Sequence, residues 1–224
     1  LSFSVSGRTF SAIRLPSYRW YWLGLVCTYF AMQIQSAAQA WLAYRLTDSP
    51  FLLGLATAAW GIPVLLLSIF GGVFADRLPK RSLLVVSRVV LAMVSLWIAV
   101  LLLMDQLEYW NLLVASFFNG VVWAFSMAAM QSIIPELVPR ELTQNAVALG
   151  STAWNTSRVA GPALAGVLIG TIGGAGAYFA AVAAYFLGMV FLIIMPAART
   201  LQHAGTQPFY ATWWKGCVTC VPAK

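Results

Sequence analysis

Of the chain's 224 residues, 61% are hydrophobic and only 8% are charged, whereas a soluble domain carries about 25% charged residues, so water is excluded as its main solvent. The net charge of +7 does not point to nucleic acid, because the basic residues are scattered between apolar runs rather than clustered on one face or interleaved with aromatics. Cys27, Cys217 and Cys220 are too few and too scattered for a disulfide framework.

Residues 1–20, with Arg8, Arg14 and Arg19, read as a cytoplasmic N-terminal segment. The first apolar run, Tyr21 to Tyr44, is too long for a signal-peptide core of about 7 to 15 residues. About 20 mainly apolar residues are needed to cross roughly 30 Å of hydrocarbon as a helix. Five more runs of that kind follow: Phe51 to Ala75, Leu83 to Met104, Leu112 to Ile134, Ala146 to Gly170 and Ala175 to Met195. They are continuously apolar, unlike the alternating strands of a membrane barrel. The predicted fold class is therefore an all-α membrane protein with six transmembrane helices over residues 21–196 and a cytoplasmic tail over 197–224.

Lys and Arg are enriched in short cytoplasmic segments. With the N-terminus inside, those segments and their helix edges hold Arg8, Arg14, Arg19, Arg77, Lys80, Arg81, Arg88, Arg140, Arg199, Lys215 and Lys224, while the opposite side holds Arg45. Both termini are thus predicted to be cytoplasmic. Trp20, Trp22, Trp41, Tyr44, Tyr109 and Trp110 fall near the predicted interfaces, where amphipathic rings settle. Leu46-Thr47 and Leu53-Gly54 before Thr57 and Trp60 are echoed by Leu142-Thr143 and Leu149-Gly150 before Thr152 and Trp154. Helices 2 and 5 start on opposite sides, so this weak echo predicts two inverted three-helix repeats.

The loop between helices 2 and 3 reads Gly71-Gly72-Val73-Phe74-Ala75-Asp76-Arg77-Leu78-Pro79-Lys80-Arg81. It resembles the loop of the major facilitator superfamily (MFS), Gly-x-x-x-Asp-Arg/Lys-x-Gly-Arg/Lys-Arg/Lys, with Gly72, Asp76, Arg77, Lys80 and Arg81 in place and Pro79 where glycine is usual. The resemblance implies the N-terminal half of a two-lobed secondary active transporter, with Asp76 in a cytoplasmic charge latch between the halves. From charge alone, Arg77, Lys80 and Arg81 also serve simply to fix topology. In helix 5, Gly161-Pro162 and the small residues up to Gly166 resemble, in part, a motif of exporters in this superfamily. Ser157, Gly161 and Ala165 recur every four residues, as do Pro162, Gly166 and Gly170, and such rows let helices pack closely in membranes.

Arg158 is a charge well inside a span, where it costs about 2.5 to 3.5 kcal/mol. Two readings stand: it faces a wet cavity or an anionic substrate, or it bonds carbonyls at a break near Gly161-Pro162. Polar stripes at helical spacing comprise Gln35 and Gln39 on helix 1, Ser116, Asn119, Trp123 and Ser126 on helix 4, and Ser151, Asn155 and Arg158 on helix 5. The candidate cavity residues are accordingly Gln35, Gln39, Asn119, Trp123, Asn155 and Arg158, and the resemblance, too, places a cavity beside helices 1 and 4. No metal or other cofactor is expected. Cys217 and Cys220 lack further ligands, and the chain has neither a phosphate-cradling glycine loop nor a nucleophile and base paired within its spans.

From Phe209 to Lys224 the tail has neither a periodic pattern nor the length of a span, and the expectation is a shift of reading frame near Gln207. Over roughly residues 8 to 200 the chain resembles drug and siderophore exporters. Its expected function is small-molecule efflux across the inner membrane, with the bilayer, a small-molecule substrate and a second six-helix half or a homodimer as partners. A non-transporting scaffold and an inert truncated product are the alternatives. A wet stripe reaching Asn119 and Arg158 favours transport, and a dry bundle favours the scaffold.

Overall fold

The computed structural model describes residues 11–77 and 79–196; within it, the side chains of residues 69–77 are not described. The expected tail, with Cys217 and Cys220, lies outside the described residues. After a short 3-10 turn, Ala12–Arg14, come five helices: α1 Pro16–Thr47, α2 Pro50–Arg77, α3 Lys80–Leu103, α4 Tyr109–Leu137 and α5 Arg140–Ile194. No strand occurs among the described residues. Prolines mark several starts: Pro16 sits in the first turn of α1, where its missing N–H costs nothing, and Pro79 and Pro139 directly precede α3 and α5. Asp48 closes α1 in the left-handed conformation, which a short polar side chain tolerates.

Four of the helices, α2 to α5, are long and apolar enough to cross a membrane. The fifth, α1, has 32 residues, about 48 Å at 1.5 Å per residue, but it carries Gln33, Gln35 and Gln39 in its middle. Its buried residues, from Tyr18 and Tyr21 through Thr28, Ile34 and Gln35 to Leu42, recur every three or four positions and share one face. It packs chiefly against α5, and its glutamines are turned into the protein.

At 55 residues, α5 would be about 82 Å long as a straight rod, far more than a bilayer needs. It is not straight. Gly173 has φ 77° and ψ 177°, a backbone state essentially confined to glycine, and the two arms on either side of it run oppositely along α1. On the first arm, Tyr18 donates to the Ala146 carbonyl at 2.8 Å and Trp22 to that of Leu149 at 3.2 Å, while Gly161 lies against Gln33, so numbers rise together. On the second, Gly174 packs on Trp41 and Gly188 on Gly24 and Thr28, so they run against each other. The expected spans Ala146 to Gly170 and Ala175 to Met195 fall on the two arms.

Gly24 and Gly188 face each other so closely that a Cβ on either would stand 3.0 Å from the other's carbonyl oxygen. Small residues permit such backbone approach in membrane bundles. Elsewhere α2 runs alongside α4, with Tyr109 donating to the Leu52 carbonyl at 2.7 Å and Gly120 under the Trp60 carbonyl. The start of α3 ties to the ends of its neighbours: Lys80 pairs with Glu136 at 2.6 Å, and Arg81 donates to the Ile193 carbonyl at 2.6 Å.

One end of the bundle thus gathers Arg14, Arg19, Lys80, Arg81 and Arg140 with Glu136 and Glu141; the other gathers Arg45 with Asp48, Asp105 and Glu108. The first end is filled by a core containing Tyr18, Tyr21, Leu25, Tyr29, Leu84 and Ile133. A second core, around Ile34, Leu42, Ile98, Leu112 and Tyr178, fills the other.

Candidate functional site

Between these two cores the bundle is open. A cavity of about 420 Å³ lies where α1, α2, α4 and the first arm of α5 meet, within the range of about 300 to 1,000 Å³ typical of small-molecule pockets. Each helix supplies residues at helical spacing: Met32, Ser36, Gln39 and Gln35 from α1; Leu53, Ala56, Thr57 and Trp60 from α2; Ser116, Asn119 and Trp123 from α4; Trp154 and Arg158 from α5. Leu91 of α3 and Tyr185 of the second α5 arm complete its inner wall.

The wall is partly prearranged by hydrogen bonds. Gln39 Nε2 donates to Ser116 Oγ and, at 3.3 Å, to the Leu112 carbonyl, joining α1 to α4. Tyr185 donates to Gln35 Oε1 at 2.9 Å, joining the second α5 arm to α1. Two polar atoms in the wall are buried and lack a partner, Gln35 Nε2 and Asn119 Oδ1. Such atoms are costly unless something satisfies them, so one free donor and one free acceptor are held ready beside an open volume. Trp123 and Trp154 stack with centroids 5.6 Å apart and planes at 21°, and Tyr29 packs edge-on to Trp154 at 5.0 Å. Trp123 and Trp154 line the cavity and pack against the core that contains Tyr18, Tyr21 and Tyr29, and so form the cavity's floor.

Of the six cavity residues expected from sequence, Gln35, Gln39, Asn119, Trp123 and Arg158 line this one space. Asn155 does not; it is exposed, and its neighbour Trp154 takes the wall position. Arg158 is exposed into the cavity rather than sealed, and among the described residues the ion pair formed is that of Lys80 with Glu136, not one at Arg158. In the packing motif, Gly161 is pressed against the Gln33 side chain, whereas a Cβ on Gly166 would meet open space and Pro162 is exposed. The side chains of Gly72, Asp76 and Arg77 lie outside the described residues. Lys80 and Arg81 of the same motif are described in the first turn of α3, which they brace as noted above. No cluster of three His, Cys, Asp or Glu suited to a metal ion occurs among the described residues.

The structure adds Trp60, Trp154 and Tyr185 to the cavity; in sequence the first two marked only the echo between helices 2 and 5. It also buries Arg88, 2% exposed, where the charge distribution assigned it to a helix edge. Its sequence signal was its place inside the apolar run from Leu83 to Met104.

A multi-pass helical membrane protein that holds amides, a cation and stacked aromatics around an open cavity has the build of a membrane transport protein. Residues 7–211 match the family described as transmembrane secretion effector, a branch of the major facilitator superfamily, and the chain belongs to that family. It is similar to an uncharacterized MFS-type transporter, YfiS, of Bacillus subtilis, with 28% identity over 80% of this chain and 44% of the relative. The staphyloferrin A transporter of Staphylococcus aureus is 25% identical over 67% of this chain and 38% of its own length. The enterobactin exporter EntS of Salmonella typhimurium is 24% identical over 84% and 44%. The chain thus spans less than half the length of these curated relatives.

Proposed function

We propose that this chain is the N-terminal bundle of a secondary active exporter and that its cavity is half of a path for a small anionic solute. The observation that carries this reading is the open cavity with Arg158 exposed in its wall. A scaffold gains nothing from an unpaired cation and open amides inside an apolar bundle, where they cost stability. The names of two relatives, an enterobactin exporter and a staphyloferrin A transporter, make siderophore-like solutes the first class to test and outward movement the first direction.

The chain crosses the inner membrane six times in this reading, because the two arms of α5 reverse at Gly173. The basic end of the bundle is cytoplasmic, since Lys and Arg collect there. Two inverted repeats are supported by the packing: α1 sits between the arms of α5, as α4 sits against α2 and α3. Asp76, with Gly72 and Arg77 at the C-terminal end of α2, serves as the cytoplasmic latch toward a second six-helix bundle, which a C-terminal half or a second copy provides. Alternating access needs that second bundle to rock against the first.

The test is efflux from cells expressing this chain, alone and together with the C-terminal six-helix half of an exporter relative, using a catecholate siderophore as the probe. Export above the level of cells with the partner half alone, reduced at least about tenfold by Arg158→Gln, is the expected result. No export in either arrangement, with both halves in the membrane, sinks the reading.

A further inference from the structure

Arg88 lies two turns into α3, 2% exposed. Its Nε and Nη1 are buried and donate to nothing. The side chains in electrostatic reach of the guanidinium are the neutral tyrosines Tyr185, Tyr21 and Tyr29. Tyr21 already donates to the Met130 carbonyl and Tyr185 to Gln35, so neither supplies a counter-charge. The described carboxylates, Asp48, Asp105, Glu108, Glu136 and Glu141, stand at helix ends, and Glu136 is taken by Lys80. A buried ion left without a partner costs several kcal/mol, and an arginine at a buried position is suited to oxyanions through its fixed fork of donors.

The position of Arg88 says where an anion would enter. One turn further along the same face of α3 is Leu91, and Leu91 and Tyr185 are both in the inner wall of the cavity. Beside them Gln35 offers its free Nε2. The unpartnered groups gathered around Tyr185, behind this inner wall, are Arg88 Nε, Arg88 Nη1 and Gln35 Nε2, and all are donors. A donor-only set selects an acceptor-only ligand, which is an anion without protons to give.

We propose that Arg88 and Gln35 form an interior site for one compact monovalent anion, a carboxylate or a halide, behind the inner wall of the cavity and separate from Arg158. The site takes either the carboxylate of a transported solute or a free inorganic anion from the medium. It builds on the reading of the cavity as a solute pocket, but it is an equilibrium binding site and is measured without transport.

The experiment uses the whole chain in lipid nanodiscs, titrated with sodium acetate or sodium chloride against sodium sulfate at matched ionic strength, following tryptophan fluorescence and the thermal midpoint. The variants are Arg88→Met and Arg88→Lys. A neutral apolar residue of similar length in place of a buried unpaired ion is tolerated or stabilising, so Arg88→Met is expected to fold. Wild type should show a saturable response that is at least about tenfold weaker in apparent affinity in Arg88→Met and partly retained in Arg88→Lys. A response to acetate alone assigns the site to a solute carboxylate; an equal or stronger response to chloride assigns it to an inorganic anion. Responses that do not saturate, or that survive in Arg88→Met, overturn the proposal and leave the export reading to its own test. If Arg88→Met does not fold, the same decision rests on Gln35→Leu, which removes the neighbouring donor and should weaken the response in the same direction.

Discussion

Arg158 and Arg88 are both arginines within apolar helices, yet one is exposed to the cavity and the other is sealed. An arginine that makes no ion pair within a span costs stability, so Arg158→Gln should unfold at or above the wild-type midpoint while solute export falls. Unfolding in detergent, followed by circular dichroism, checks the first half of that statement. Glycines divide in the same way. A leucine at Gly161 must displace Gln33, and overpacking of this kind costs about 1 to 3 kcal/mol; a leucine at Gly166 points into open space and should be near neutral. The thermal midpoints of the two variants, measured side by side, separate a packing position from a free one within a single sequence motif. Tyr185→Phe removes the donor to Gln35 and leaves that amide with both ends unpaired. The cost should be about 1 to 3 kcal/mol, read as a lowered midpoint.

At the scale of elements, the decisive residue is Gly173. Its φ of 77° with ψ of 177° lets the second arm of α5 return along α1, and a side chain there is strained regardless of space. Gly173→Ala should cost about 1 to 3 kcal/mol, whereas Gly170→Ala, three residues earlier in regular helix with nothing within 4 Å, should stabilise or leave the midpoint unchanged. Equal midpoints for both would show that the reversal does not depend on the glycine backbone. The pair of Lys80 and Glu136 is a weaker tie. With side-chain exposures of 22% and 48% it is solvated at one end, and Lys80→Ala should cost no more than about 1 kcal/mol. Its value is in orientation, since it holds the start of α3 against the end of α4.

Across the whole molecule, the cavity is the feature that only the assembled bundle has. Gln39 and Asn119, on different helices, both line it, whereas Tyr178 is fully buried in the core toward the other end. In a background with Cys27, Cys217 and Cys220 replaced by serine, a cysteine at Asn119 should react with a small membrane-impermeant thiol reagent at least about tenfold faster than one at Ala177, which is also fully buried. Equal slow rates at both positions would describe a dry bundle and favour the scaffold. Much of α2 is exposed, including Phe51, Ile62, Leu65 and Leu66, as expected of a surface facing lipid or a second bundle.

The sequence by itself determined that the chain is helical and lives in a membrane, and it located the apolar stretches to within a few residues of their helices. It could do so because transfer into hydrocarbon acts on each segment separately: every backbone group must be satisfied within its own helix, and every apolar side chain contributes wherever its neighbours are. The polar stripes Gln35 with Gln39 and Asn119 with Trp123 were legible for a similar reason, since residues at helical spacing share a face before any packing is known. Which stripes meet was decided by tertiary structure. Helix rotation about its own axis is set by neighbours, which is why Trp154 rather than Asn155 reached the wall, and why Tyr185 joined it from a helix whose pattern gave no sign of a cavity. The same rotation sealed Arg88 among tyrosines and opened Arg158 to the cavity, a distinction that two arginines in apolar runs do not carry until α1, α3 and the returning arm of α5 close around one of them.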